Sequence, residues 1–213
     1  MNLYLCIIQT PKYHLKTIKT NQKMKTRAIA AFIIAGALSF TACTNKMDEK
    51  TMGEITQFGT EWTALGEQAS TWSQQLTETA TQATEFSAKQ AEMINTTASI
   101  KDEAIKTQVA EMSRVSTEDA SKLNNMVSEY STFKTTWDET TQKFNEWQAK
   151  VSKGEINPQD AIKGLADFKT QMSDAQARFE SWNTAYAEAK SSCDQNMAAA
   201  DELAKTMVPS AKK

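Results

Sequence analysis

Apolar side chains recur at alternating steps of three and four residues through most of the chain after position 51, which is the a/d seam of a coiled coil. Three such seams follow one another. The first runs Ile55, Phe58, Trp62, Leu65, Ala69, Trp72, Leu76, Ala83, Phe86 and Met93. The second runs Ile105, Val109, Met112, Leu123, Met126, Tyr130, Phe133, Trp137, Phe144, Trp147 and Val151. The third runs Leu165, Phe168, Met172, Ala175, Phe179, Trp182, Tyr186, Ala189, Cys193, Ala200, Leu203 and Met207. No strand-like alternation of useful length competes, so the pattern predicts an all-α fold.

Polar segments separate the seams and supply helix caps. At the first break, residues 95–99 are polar, and Ser99 has Asp102 at capping-box spacing. At the second, Gly154 closes one helix, Asn157 caps the next and Pro158 suits its first position. These signals predict helices over about 51–95, 100–153 and 158–207, followed by a tail at 208–213.

Short connections between long helices predict antiparallel neighbours. We therefore expect a long three-helix coiled-coil bundle running up, down and up, spectrin-repeat-like in outline but with longer helices. The Ser116-Thr117-Glu118-Asp119 segment is a weaker start signal inside the second seam. It favours one middle helix that is interrupted near residue 116.

Reflecting the seams about the two breaks predicts which residues share a layer. The pairings are Trp62/Phe133/Phe179, Leu65/Tyr130/Trp182, Phe58/Trp137/Ala175, Trp72/Leu123/Ala189 and Phe86/Val109/Leu203. In two of these layers Trp137 and Trp72 each face an alanine, the large-against-small filling that a dense core requires.

The same reflection predicts a polar layer in the middle of the bundle. Thr79, Ser116 and Asn196 fall in one layer, and Asp119 and Cys193 fall in the layer beside it. Two interpretations remain open. The layer fixes the register of the helices at a cost in stability, or it lines a small cavity for a ligand or water.

Charge separates the start of the chain from the rest of its 213 residues. Residues 1–43 hold six Lys and Arg and no Asp or Glu, which leaves 18 basic and 26 acidic side chains after them, a net charge of −8. A basic leader before an acidic body indicates a targeting segment. The acidic body also argues against a nucleic-acid partner, because phosphate binding needs a stripe of Lys and Arg.

The leader has the parts of a secretory signal. Lys25 and Arg27 form a basic region, and residues 28–40 form an apolar run of 13 residues. Since a membrane span needs about 20 apolar residues, the run fits a signal better than an uncleaved anchor. Met24 is a natural start, so residues 1–23 are either an upstream extension from a misplaced start codon or a long basic region. A plain signal cut would fall after Ala37-Leu38-Ser39.

The end of this leader, Phe40-Thr41-Ala42-Cys43, resembles the lipobox of bacterial lipoproteins, with Phe40 standing where that family prefers Leu. The resemblance covers Met24 to Cys43 only. It implies removal of residues 1–42, acylation of Cys43 and attachment to a membrane through the acyl chains. Thr44, where the enteric family uses Asp for inner-membrane retention, favours the outer membrane. Residues 43–50 are then a lipidated tether.

The mature chain lacks the residues of common active sites. The only histidine, His14, lies in the leader together with Cys6. Without a histidine, the mature chain has no Ser-His or Cys-His pair and no His-based zinc site. Its sequence also contains no glycine-rich phosphate-loop motif. We therefore expect no enzyme, cofactor or metal. The leading hypothesis is a lipid-anchored cell-envelope coiled-coil protein with a structural or protein-interaction role and an unknown envelope partner. The alternative is a ligand- or client-binding, holdase-like envelope lipoprotein.

Overall fold

Three long helices make up the structure, a computed structural model that describes residues 47–97 and 101–207. The helices are α1 (Glu49–Thr97), α2 (Glu103–Ser152) and α3 (Pro158–Met207). All three pack against one another, and the described residues contain no strand. The predicted all-α three-helix bundle is confirmed. Each helix has 49 or 50 residues and is therefore about 75 Å long.

We call the end of the bundle where α1 starts the proximal end and the opposite end the distal end. The proximal end holds the first turn of α1 and the turn between α2 and α3. The distal end holds the last turns of α1 and α3 and the first turn of α2. Because consecutive helices are antiparallel, these features follow directly from the chain order.

A single aspartate caps the start of α2. The Asp102 carboxylate accepts hydrogen bonds from the backbone N–H groups of Ala104 (2.9 Å) and Ile105 (3.3 Å). Asp102 is thus the N-cap itself, rather than the partner of a cap at Ser99, a residue that lies outside the described part of the chain. The shifted cap moves the start of α2 from the predicted 100 to Glu103.

The α2–α3 turn closes through a glycine. Gly154 has φ = 71°, which L-residues with a side chain rarely adopt. The N–H of Gly154 donates to the Val151 carbonyl (3.0 Å), and the N–H of Glu155 donates to the Lys150 carbonyl (2.9 Å). This is a Schellman motif, which satisfies two of the last carbonyls of α2. The next helix then starts at Pro158, and the Asn157 side chain accepts from the Asp160 N–H (2.9 Å).

The middle helix is continuous from Glu103 to Ser152, so the interruption predicted near residue 116 is absent. The hydroxyl groups that suggested a break hydrogen-bond to carbonyl oxygens within the helix instead. Ser116 donates to the Met112 carbonyl at 2.7 Å, and Thr117 donates to the Ser113 carbonyl at 2.9 Å. Side chains that bond one turn back leave the helix intact.

Aromatic side chains fill the proximal and central core. The Trp62 ring stacks on Trp137 with centroids 4.3 Å apart, and its Nε1–H donates to the Thr141 hydroxyl at 2.9 Å. Further along, Trp72 makes edge contacts with Tyr130 and Phe179. Such geometries are the favoured ones for aromatic pairs and add to the free energy from burial.

The register of α1 differs from the predicted layers by one heptad. Trp72 contacts Tyr130 (centroids 5.6 Å apart) rather than Leu123, and Phe58 contacts Phe144 (5.6 Å) rather than Trp137. Both partners lie seven residues further along α2 than expected.

The α2–α3 pairing agrees with the predicted register. Tyr130 contacts Trp182, as one of the reflected layers has it. The pairing error is therefore confined to α1.

Candidate functional site

The residues predicted to carry the lipid anchor are Cys43 and the lipobox residues Phe40, Thr41 and Ala42, which lie outside the described residues. Among residues 47–97 and 101–207, no helix is long and apolar enough to cross a membrane. The same residues hold no group of three or more His, Cys, Asp or Glu side chains that could hold a metal ion.

The structure brings Ser116 and Asn196 together in the core. The Asn196 Nδ2 group donates to the Ser116 Oγ atom at 2.8 Å and to the Met112 carbonyl at 2.8 Å. Both side chains are buried. These bonds join α2 to α3 at a defined height, since a shift of one turn would separate the amide from both acceptors.

Asp119 and Cys193 form a second buried contact one layer nearer the proximal end. The Asp119 side chain is 2% exposed and hydrogen-bonds the Cys193 thiol. Burial, reinforced by the Asp119 charge, raises the pKa of Cys193 to about 11 from 9.0. The Asp119 Oδ2 atom has no hydrogen-bond partner.

Thr79, which the sequence placed in the same layer as Ser116 and Asn196, lies elsewhere. Its hydroxyl is 2.9 Å from the Tyr186 hydroxyl and donates to the Gln75 carbonyl at 2.9 Å. Tyr186 precedes Asn196 by ten residues on α3, or about 15 Å along the helix. The prediction is wrong because the register of α1 was one heptad off.

Sequence reasoning missed Gln90, the polar residue that α1 buries near the layer. Its side chain is 2% exposed, and its Oε1 atom has no hydrogen-bond partner. The hydrogen bond between Ser87 and Thr117 (3.1 Å) sets Gln90 level with residues 112–114 of α2, where Ser113 is also buried. The spacing along α1 predicts this burial, because Gln90 lies four residues after Phe86 and three before Met93 on the α1 seam.

These residues form one buried polar zone, defined here as Gln90, Ser113, Ser116, Asp119, Cys193 and Asn196. Its one nucleophile is the Cys193 thiol, and burial beside the Asp119 carboxylate raises the pKa of that thiol. The raised pKa keeps the Cys193 thiol protonated at neutral pH, and the thiol is a weak nucleophile in that form.

Within the polar zone, the Asn196 side chain joins α3 to α2 through its bonds to Ser116 and the Met112 carbonyl. A buried acceptor without a donor costs about 1–3 kcal/mol, and the zone contains two, at Gln90 and Asp119. Buried polar side chains at seam positions fix register at such a cost.

Comparison with protein-family models, curated proteins and solved structures gives no match to this chain.

Proposed function

We propose that this protein is a lipid-anchored coiled-coil protein of the bacterial cell envelope, with a structural or protein-interaction role. The observation that carries the proposal is the distance along the chain between two features. The lipobox-like sequence ends at Cys43, and α1 begins only six residues later, at Glu49. A folded rod therefore starts almost directly after the proposed attachment point.

The short tether supports a role in spacing or tethering. Residues 43–48 reach at most about 20 Å when fully extended. Acyl chains on Cys43 would thus hold the proximal end close to the membrane surface. An upright rod would then place its distal end about 75 Å further out, so the distal end is the part presented to an envelope partner.

The side chains of the rod support an interaction role over a catalytic one. The tryptophans of the core are engaged with other rings, as Trp62 is with Trp137 and Phe144. The outer faces carry exposed ion pairs within single helices, such as Lys190–Asp194 at 2.7 Å. Threonine hydroxyls such as that of Thr63 bond to the carbonyl one turn back. These contacts suit a solvated, self-contained rod.

Acyl labelling tests the anchor. Cells that express the chain are grown with an alkyne-tagged fatty acid, and label on the purified protein is compared between wild type and Cys43→Ser. We expect label on the wild type and none on Cys43→Ser. The matched control is Cys193→Ser, which removes the buried cysteine and should keep the label. An unlabelled wild type, or label retained by Cys43→Ser, would contradict the proposal.

Protease treatment of intact cells then separates the two faces of the outer membrane. A rod on the surface is digested in intact cells, whereas a periplasmic rod is digested only after the outer membrane is opened. Fractionation with the inner membrane would contradict the outer-membrane placement that Thr44 favours. Crosslinking from the distal end in whole cells would then identify the envelope partner.

A further inference from the structure

The core on the distal side of the polar zone is small. Its buried apolar cluster consists of Val109, Met112, Ala200 and Leu203. Phe86, Met93 and Ile105 pack against it while remaining partly exposed. The stability of a helix in a bundle comes mainly from packing of its apolar face, so this stretch has little to hold it closed.

The rest of the core is larger and continuous. Two buried clusters fill it, one around Trp72 and one around Trp62, and Phe133 packs against both. All five tryptophans of the chain belong to these clusters or pack against them. We call this part, residues 49–83, 123–152 and 158–189, the aromatic segment. Residues 86–97, 103–116 and 196–207 are the distal segment.

One of the two unpartnered acceptors belongs to Asp119, which lies between the two segments, and the other belongs to Gln90, which lies within the distal segment. Asp119 Oδ2 and Gln90 Oε1 are buried and accept no hydrogen bond. When the distal helices separate, water reaches both atoms and supplies the missing donors. Opening of the distal segment thus recovers part of what it loses in packing. Opening of the aromatic segment would likewise hydrate the buried, unpartnered Nε1–H groups of Trp72 and Trp147, but it would also break the ring contacts of both clusters. The difference between the segments therefore rests on the size of the core that each one loses.

We propose that the polar zone divides the rod into two segments that open independently, and that the distal segment opens far more readily than the aromatic segment. Opening uncovers the apolar side chains of Val109, Met112 and Leu203 at the end of the rod farthest from the start of α1. Local opening of this kind is drawn from the parts of a fold with few buried contacts. The inference does not depend on acylation of Cys43.

Thiol labelling of matched sites tests the independence of the segments. Ala175 and Ala200 both lie on α3 and are 4% and 5% exposed, but they lie on opposite sides of the polar zone. Full-length chains carrying Ala175→Cys and Ala200→Cys, with Cys193→Ser to keep a hydrogen-bond donor beside Asp119, are alkylated under native conditions and digested with trypsin. Cleavage at Arg178 and Lys190 separates the two sites for mass spectrometry.

We expect the thiol at position 200 to be alkylated at least about tenfold faster than the thiol at position 175, because only the distal segment opens often. Equal rates would show that the bundle opens as one unit and would overturn the proposal.

Removing the two unpartnered acceptors tests whether they cause the difference in opening between the segments. Gln90→Leu with Asp119→Leu should bring the two labelling rates closer together by at least about threefold. The control makes the same chemical changes at exposed positions, Gln82→Leu with Asp174→Leu, and should leave the ratio of rates unchanged. If Gln90→Leu with Asp119→Leu leaves the ratio of labelling rates at positions 200 and 175 unchanged, the polar zone does not cause the difference between the segments.

Hydrogen exchange on the unaltered chain gives a readout that needs no substitution. Amides of 103–116 and 196–207 should exchange well before those of 123–152 and 161–186. Uniform protection of both sets would contradict the proposal even where the Leu variants fail to fold.

Discussion

At the scale of single residues, Gly164 allows the Trp147 ring to lie directly against α3. A Cβ atom built at Gly164 would lie 2.5 Å from Trp147 Nε1 and 3.0 Å from its Cε2, closer than real contacts allow. Gly164→Ala should therefore push the ring out of place and lower the free energy of unfolding by about 1–3 kcal/mol. Urea denaturation followed by far-UV circular dichroism measures this change.

Gly53 on α1 is the matched control for that substitution. A Cβ atom there meets nothing within 4 Å, so Gly53→Ala gains helix propensity without a clash. We expect it to raise the free energy of unfolding by about 0.5–1 kcal/mol. If both alanine variants shift stability in the same direction, close approach of Trp147 is not the reason for glycine at 164.

The polar zone shows which buried polar residues can be predicted from the sequence. Ser116, Asp119 and Asn196 could be placed on seam positions from spacing alone. Gln90 occupies an equally regular seam position, but glutamine beside Lys89 and Glu92 is typical of an exposed helix face. Which polar side chains meet, and which lack a partner, depends on the pairing of helices, so spacing within one helix does not reveal it.

At the scale of helices, the caps set where each element begins. Asp102 is the cap of α2, and its carboxylate accepts from two backbone N–H groups. Asp102→Ala should destabilise the first turns of α2 by about 1 kcal/mol. Peptide-resolved hydrogen exchange over residues 103–109 should become faster, while exchange over residues 123–151 stays the same.

Asp102→Asn separates the cap from the charge. Asparagine retains a side-chain oxygen acceptor and is as good an N-cap as aspartate. Exchange of the first turns of α2 should therefore stay near the wild-type rate with Asn and rise with Ala. Equal acceleration by both substitutions would mean that the negative charge, rather than the hydrogen bonds, stabilises the start of α2.

The helices themselves could be predicted because local and long-range signals agree. Gly154, Asn157 and Pro158 form a stop and a start that need no tertiary information. The segment at Ser116 was harder, since the same hydroxyl groups suit a helix start or a bond one turn back. Burial of Ser116 between helices, seen only in the bundle, is what favours the continuous helix.

At the scale of the whole bundle, the register of α1 is the feature that sequence could not supply. An a/d seam looks the same after a shift of seven residues, so two registers bury nearly the same apolar side chains. The choice then depends on the α1–α2 connection. Because α1 continues to Thr97 and α2 starts at Glu103, the centre of the turn lies later than residues 95–99 indicated, and α1 pairs one heptad further along α2.

Disulfide crosslinking distinguishes the two registers directly. The Ser87 and Thr117 hydroxyl oxygens are 3.1 Å apart, so sulfur atoms in their place need to move by only about 1 Å to bond. Ser87→Cys with Thr117→Cys, in a chain whose native cysteines are replaced, should form a disulfide within the monomer on mild oxidation. The product is seen as faster migration on a non-reducing gel and by mass spectrometry of the linked peptides.

The companion variant carries Ser87→Cys with Ala110→Cys. Position 110 lies one heptad before position 117, nearer the start of α2. These positions would be neighbours in the register that the seams alone suggested. In the register seen here they are about 10 Å apart along the bundle axis, which exceeds the reach of a disulfide. Efficient crosslinking at 110 and none at 117 would reverse the assignment, and would return Thr79 to the layer of Ser116 and Asn196. Crosslinking at 117 alone fixes the height at which Gln90 enters the core.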